Sequence, residues 1–109
     1  MKNIQIEDIM KKPCHVHFVG IGGISMSGLA EILIDKGYTV SGSDSKESAV
    51  TDKLTSLGAK ICYGHNYNNI TDDISYLVYT AAVKQDNPEL VAARDKGITS
   101  VTRATLLGH

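Results

Sequence analysis

The sequence predicts an α/β fold, a doubly wound parallel sheet with helices on both faces. Three observations point there. Short runs of β-branched and aromatic residues recur along the chain, most of them closed by a glycine. Between them lie stretches with apolar residues at helical spacing, and these also stop on glycine. The connections are short, and strands that alternate with helices in this way pair in parallel through right-handed crossovers.

The elements follow in order. Residues 1–13 are polar, end in Pro13 and read as a lead-in segment with room for a short helix. Cys14 to Val19 is an apolar run that stops at Gly20, as a buried strand does. Met26, Leu29, Ala30 and Leu33 then fall at i, i+3, i+4 and i+7, one face of a helix, with Lys36 and Gly37 as its cationic, left-handed end. Tyr38 to Ser41 is a second short strand, ending at Gly42-Ser43-Asp44-Ser45. A second helix follows, expected to turn Val50, Leu54 and Leu57 inward and to stop at Gly58. Lys60 to Tyr63 is the third strand, closed by Gly64-His65. Residues 66–73 are Asn-rich and read as a loop or a single helical turn. Tyr76 to Tyr79 is the fourth strand. Asn87-Pro88-Glu89 opens a third helix, with Asn as cap, Pro at the first helical position and Glu complementing the dipole. It ends at Lys96-Gly97, Ile98 to Val101 is a fifth strand, and another helix starts at Ala104 and is cut off by the chain end. The expected architecture is a Rossmann-like five-stranded parallel sheet in the order 3-2-1-4-5, formed by residues 14–109.

Bulk properties exclude several classes. A chain of 109 residues is one domain's worth, and 42% hydrophobic residues suffice for a core. A net charge of −1 provides no global field to attract nucleic acid or an anionic membrane surface. The apolar stretches fall short of a membrane span, and the amino terminus lacks the apolar run of a signal peptide. Cys14 and Cys62 stand far apart, outside any metal-ligand spacing. They are expected to be reduced, buried residues of a cytoplasmic protein, with a redox pair as the alternative.

The segment Gly20-Ile21-Gly22-Gly23-Ile24-Ser25-Met26-Ser27-Gly28 joins the first strand to the first helix. Glycines there allow a tight turn and close approach to a ligand, and the helix start offers free N–H groups to an anion. The dinucleotide fingerprint G-x-G-x-x-G is only partly met, because its third glycine is Ser25. A turn without a ligand is the bland alternative. Asp44, at the end of the second strand, suits hydrogen bonds from ribose hydroxyls, or a cap on the second helix, or both. Thr80-Ala81-Ala82 follows the fourth strand at the crevice where the strand order reverses, and its small side chains leave room for a ligand or simply make a turn. His15 and His17 alternate with apolar residues and are expected to be hydrogen-bonded in the core rather than to bind metal. His65 stands at the carboxyl edge, balanced between ligand contact and none. Tyr63, Tyr67, Tyr76 and Tyr79 are expected to pack on the sheet rather than stack on a base.

Beyond these patterns, His17 to Ala30 closely resembles the amino-terminal glycine signature of the Mur ligases, in the branch that joins L-alanine to UDP-N-acetylmuramate. The resemblance continues through Ser41-Gly42-Ser43-Asp44, Gly64-His65, Thr80 to Glu89 and Thr102-Arg103-Ala104. The chain departs from that pattern at Ala81, where a serine is frequent, and at Thr105, where an acidic residue is common. The resemblance implies the first of three domains, binding UDP-N-acetylmuramic acid by its uridine diphosphate. It places Gly20, Gly22, Gly23, Ile24, Ser25, Met26, Ser27, Asp44, His65, Thr80, Ala81 and Arg103 at the substrate, with no catalytic residue and no cofactor in this domain. ATP and magnesium are implied for domains that would follow His109, and no G-x-x-x-x-G-K-[ST] loop occurs here. The implied whole reaction is ATP-dependent amide formation, by attack of the L-alanine amine on an acyl phosphate of the substrate. Two alternatives stand beside this: a related ligase that recycles whole peptides onto the same sugar nucleotide, and a nicotinamide-dinucleotide domain.

Overall fold

The computed structural model describes residues 14–103. Five strands alternate with helices: β1 (His15–Val19), α1 (Ile24–Asp35), β2 (Thr39–Asp44), α2 (Ala49–Ser56) and β3 (Lys60–Tyr63). A single 3-10 turn (Tyr67–Asn69) leads to β4 (Tyr76–Tyr79), α3 (Pro88–Lys96) and β5 (Thr99–Thr102). All four pairings are parallel and the order is β3-β2-β1-β4-β5, as the alternation requires. Strand β1 is central, which is why its inward-facing positions are buried on both faces.

The period-2 alternation of β1 sorts the core into two halves. On one face Val16 and Phe18 pack with Val40 and Val78 against Met26, Leu29 and Leu33 of α1 and Leu54 of α2. On the other, Val19 and Leu77 pack with Ile70, Ile74, Leu90 and Ala93. Each large side chain fully buried here contributes about 1.5–3 kcal/mol of transfer free energy. The second face is also where His17, Ser43 and Glu89 are buried, so this half of the interior mixes polar with apolar groups.

Several expectations are corrected. Strand β2 runs on through Gly42, Ser43 and Asp44, because these residues pair with Phe18 and Val19 on one side and with Ile61 to Tyr63 on the other. Gly42 is required there: a Cβ would lie 2.7 Å from both Cβ and Cδ1 of the buried Ile21. Helix α2 turns Thr51 and Leu54 inward, leaving Val50 and Leu57 exposed. Its rotation is set by a capping box, in which the Thr51 N–H donates to Ser48 Oγ and the Ser48 N–H donates to Thr51 Oγ1. Cys62 is exposed rather than buried, since β3 is an edge strand, and Cys14 is half-buried; neither is in a disulfide. Tyr63 and Tyr67 are likewise exposed, anchored by their hydroxyls to Thr51 and Asp95, whereas Tyr76 and Tyr79 pack against the two cores. The lead-in segment and the helix expected from Ala104 lie outside the described residues. Among the described residues no helix is long and apolar enough to cross a membrane.

Candidate functional site

The turn after β1 is held from below. The N–H groups of Gly20 and Ile21 both donate to the Ser43 carbonyl, at 2.8 and 3.0 Å, and the Gly23 N–H donates to the Gly20 carbonyl at 3.1 Å. Gly20 has φ +82°, a conformation that L side chains rarely adopt. Gly22 serves close approach instead: its N–H donates to Asp44 Oδ2 at 2.8 Å, and a Cβ would sit 2.7 Å from that same oxygen. Helix α1 then starts on Gly23, which carries no side chain to cap it. The first-turn N–H groups of Ile24, Ser25 and Met26 have no acceptor within the helix. An extended cap residue, open donors and the positive end of the helix dipole together can receive an anion at the carboxyl edge of the sheet.

The predicted site residues gather around this edge to different degrees. Gly20, Gly22, Gly23, Ile24 and Ser25 form the turn and the helix start. Met26 and Ser27 do so only through their backbone: the Met26 side chain is core, and the Ser27 hydroxyl donates to the Ile24 carbonyl. Arg103, just beyond β5, reaches back so that its Nε donates to the Ser25 carbonyl at 3.3 Å, bringing a cation beside the α1 start. Thr80 to Ala82 follow β4 in a turn closed by the Val83 N–H on the Thr80 carbonyl, with Ala81 and Ala82 exposed. Asp44 does not cap α2, a position held by Ser48. Its two oxygens instead accept from the Gly22 and Ser45 N–H groups, and a carboxylate bonded in this way keeps lone pairs for further donors. The Gly64 N–H donates to the Asp44 carbonyl at 2.7 Å, which fixes His65 next to the end of β2.

Below this rim lies a group whose second role the sequence pattern did not show. Glu89 does more than complement the dipole of α3: it is fully buried and anchors a knot of hydrogen bonds. His17 Nε2 (2.8 Å) and Ser43 Oγ (2.9 Å) donate to its Oε1. Asn69 Nδ2 (2.8 Å) and the Asn66 N–H (3.2 Å) donate to its Oε2. Burial pushes the Glu89 carboxyl up, but the hydrogen bonds from His17, Asn69 and Ser43 prevail and hold it below the ordinary carboxylate range. His65 Nδ1 lies 2.9 Å from Ser43 Oγ and 3.6 Å from Glu89 Oε2. In the other direction His17 Nδ1 and His15 Nε2 each lie 2.7 Å from Ser41 Oγ, and His15 Nδ1 is 3.0 Å from Asp73. Both histidines are therefore committed to hydrogen bonds. The signal for this knot was available: four polar residues, His15, His17, Ser41 and Ser43, stand at alternate positions of two inner strands, and buried polar groups demand partners. A hollow of about 350 Å³ on the same face, lined by His15, Ser41, Lys60 and Cys62 among others, is separate from the glycine turn.

Comparison with known proteins adds the family. A model described as Mur ligase family, catalytic domain, matches residues 15–109. The chain belongs to the Mur ligase family. Among Mur ligases, it is 59% identical over 98 residues to the UDP-N-acetylmuramate–L-alanine ligase of Agathobacter rectalis, covering 90% of this chain and 21% of that one. The UDP-N-acetylmuramate-alanine ligase structure from Thermotoga maritima superposes with a TM-score of 0.79 at 38% identity, over 84% of this chain and 21% of that one. The UDP-N-acetylmuramate:L-alanyl-γ-D-glutamyl-meso-diaminopimelate ligase from Neisseria meningitides gives 0.75 at 26% identity, over 84% and 29%. This Mur ligase chain thus spans about a fifth of the length of the curated relative it matches.

Proposed function

We propose that this chain is the substrate domain of an ATP-dependent ligase that joins L-alanine to UDP-N-acetylmuramic acid in peptidoglycan precursor synthesis, and that it holds the uridine diphosphate. The observation that carries this reading is the uncapped start of α1, flanked by Asp44 on one side and Arg103 on the other. In this reading the diphosphate takes the N–H groups of residues 24–26, Arg103 adds positive charge, and Asp44 accepts from the ribose. His65 faces the nucleoside, and Thr80 and Ala81 border the crevice. The contribution to catalysis is positioning: the sugar's carboxylate is delivered to ATP, magnesium and the amine, which bind in domains beyond residues 14–109. The ligase names of relatives more than half identical support L-alanine as the amine over a recycled peptide. Cysteines outside any disulfide at positions 14 and 62 suit a cytoplasmic enzyme.

A thermal-shift panel tests this. UDP-N-acetylmuramate and UDP should raise the melting temperature, with mass action giving about 2.7 kcal/mol at a hundredfold excess over Kd. ATP with magnesium should not. A larger shift with NAD than with the UDP-sugar would move the assignment to a nicotinamide-binding domain.

A further inference from the structure

We infer that Glu89 is a positioning residue: through Ser43 it holds His65 with its ring hydrogen on Nδ1, so that Nε2 is presented bare, as an acceptor for an N–H or O–H of the bound nucleoside. The inference rests on the function proposed above and adds the polarity of one contact.

Hydrogen counting carries it. Ser43 has one hydroxyl hydrogen and two neighbours, Glu89 Oε1 at 2.9 Å and His65 Nδ1 at 2.9 Å. A carboxylate only accepts, so the hydrogen goes to Glu89, and the hydroxyl oxygen must then accept from His65 Nδ1–H. The second Glu89 oxygen, 3.6 Å from Nδ1, makes a bare lone pair at that nitrogen unfavourable as well. Glu89 itself has no freedom to turn away. It is fully buried, both of its oxygens are engaged by donors from β1, β2 and the segment around the 3-10 turn, and α3 carries it. Those same donors keep the carboxyl ionised and therefore accepting. No described residue bonds His65 Nε2, and the ring is partly exposed where the Gly64–Asp44 hydrogen bond holds its segment against the rim. A neutral imidazole with hydrogen on Nδ1 has an acceptor at Nε2, and which nitrogen carries the hydrogen is set by the partner of the other. His65 so held selects a donor on the ligand and discriminates against a phosphate oxygen.

The test reads the ring directly. The 109-residue chain, with 15N-labelled histidine, is examined by long-range proton–nitrogen NMR at a pH where His65 is neutral. His65 should show a protonated Nδ1 and a bare Nε2. Ser43→Ala, which removes the link while leaving a small side chain in a buried strand position, should let both tautomers populate. UDP affinity should fall about three- to tenfold in Ser43→Ala, with no further loss when the change is made in a His65→Phe background. Hydrogen on Nε2 in the wild type, ring nitrogens indifferent to Ser43→Ala, or additive losses in the double variant would each overturn the inference. A wild-type chain that does not bind UDP would instead tell against the proposed function, because the tautomer is read in the free chain.

Discussion

Two polar regions that meet at Ser43, the start of α1 and the knot around Glu89, manage their hydrogen bonds in opposite ways. At the start of α1 the backbone is held by four donors turned inward, from Gly20 to Gly23, and the next three are left open. In the Glu89 knot every oxygen of a fully buried carboxylate is engaged. Open donors at an exposed edge cost little, because water fills them until an anion does. Open acceptors in the interior would cost the full desolvation penalty. The difference separates a place open to a ligand from one that holds the frame beneath it.

The largest effect should come from cutting the knot. Glu89→Ala leaves His17, Ser43, Asn69 and the Asn66 N–H without their acceptor, and is expected to cost about 3–5 kcal/mol in chemical denaturation. A loss under about 1 kcal/mol would mean that water replaces the carboxylate and that the knot is not a buried structural unit. The turn should behave in the reverse manner. Gly22→Val pushes Asp44 off the Gly22 N–H and should lower UDP affinity more than tenfold while unfolding free energy falls by only about 1–2 kcal/mol. Unchanged affinity in a folded Gly22→Val chain would place the ligand elsewhere.

Acid gives a finer separation. The folded-state carboxyl of Glu89 sits below its ordinary value of 4.5, so the unfolded chain takes up the proton first as pH falls. Its contribution to stability is therefore complete above about pH 4.5 and disappears as pH drops through the lower folded value. Glu89→Gln should flatten that part of the stability–pH curve, and an unaltered slope would show that other carboxylates set it. The smallest effect is expected at the cap of α1. Gly23 has extended backbone angles that serine adopts freely, and a Cβ there meets nothing closer than 3.5 Å. Gly23→Ser should stabilise the free domain by a few tenths of a kcal/mol by capping the open N–H groups, and weaken UDP by competing for them. Calorimetry showing tighter UDP binding in that variant would argue against a diphosphate at those donors.

Much of the frame was legible because glycine punctuation is local: the stops at Gly20, Gly37, Gly58, Gly64 and Gly97 all have positive φ, and the elements lie between them. Strand β2 was read too short because Gly42-Ser43 has the composition of a turn, and only pairing with two neighbours makes it strand. The inner face of α2 was misjudged by one position because the capping box, rather than hydrophobicity, sets the helix rotation. At the site, the turn, Asp44 and Arg103 came from motif and resemblance. Glu89 was missed because its partners His17 and Ser43 lie 72 and 46 residues away, a separation at which periodicity carries no information.

The bond from the Gly22 N–H to Asp44 ties the glycine turn to the end of β2 in the free domain. A loop already in its working shape has little searching left to do when a ligand arrives. Association should then proceed in one kinetic phase at an ordinary encounter rate, roughly 10⁵–10⁷ M⁻¹s⁻¹. Differences among ligands would appear in how long each one stays.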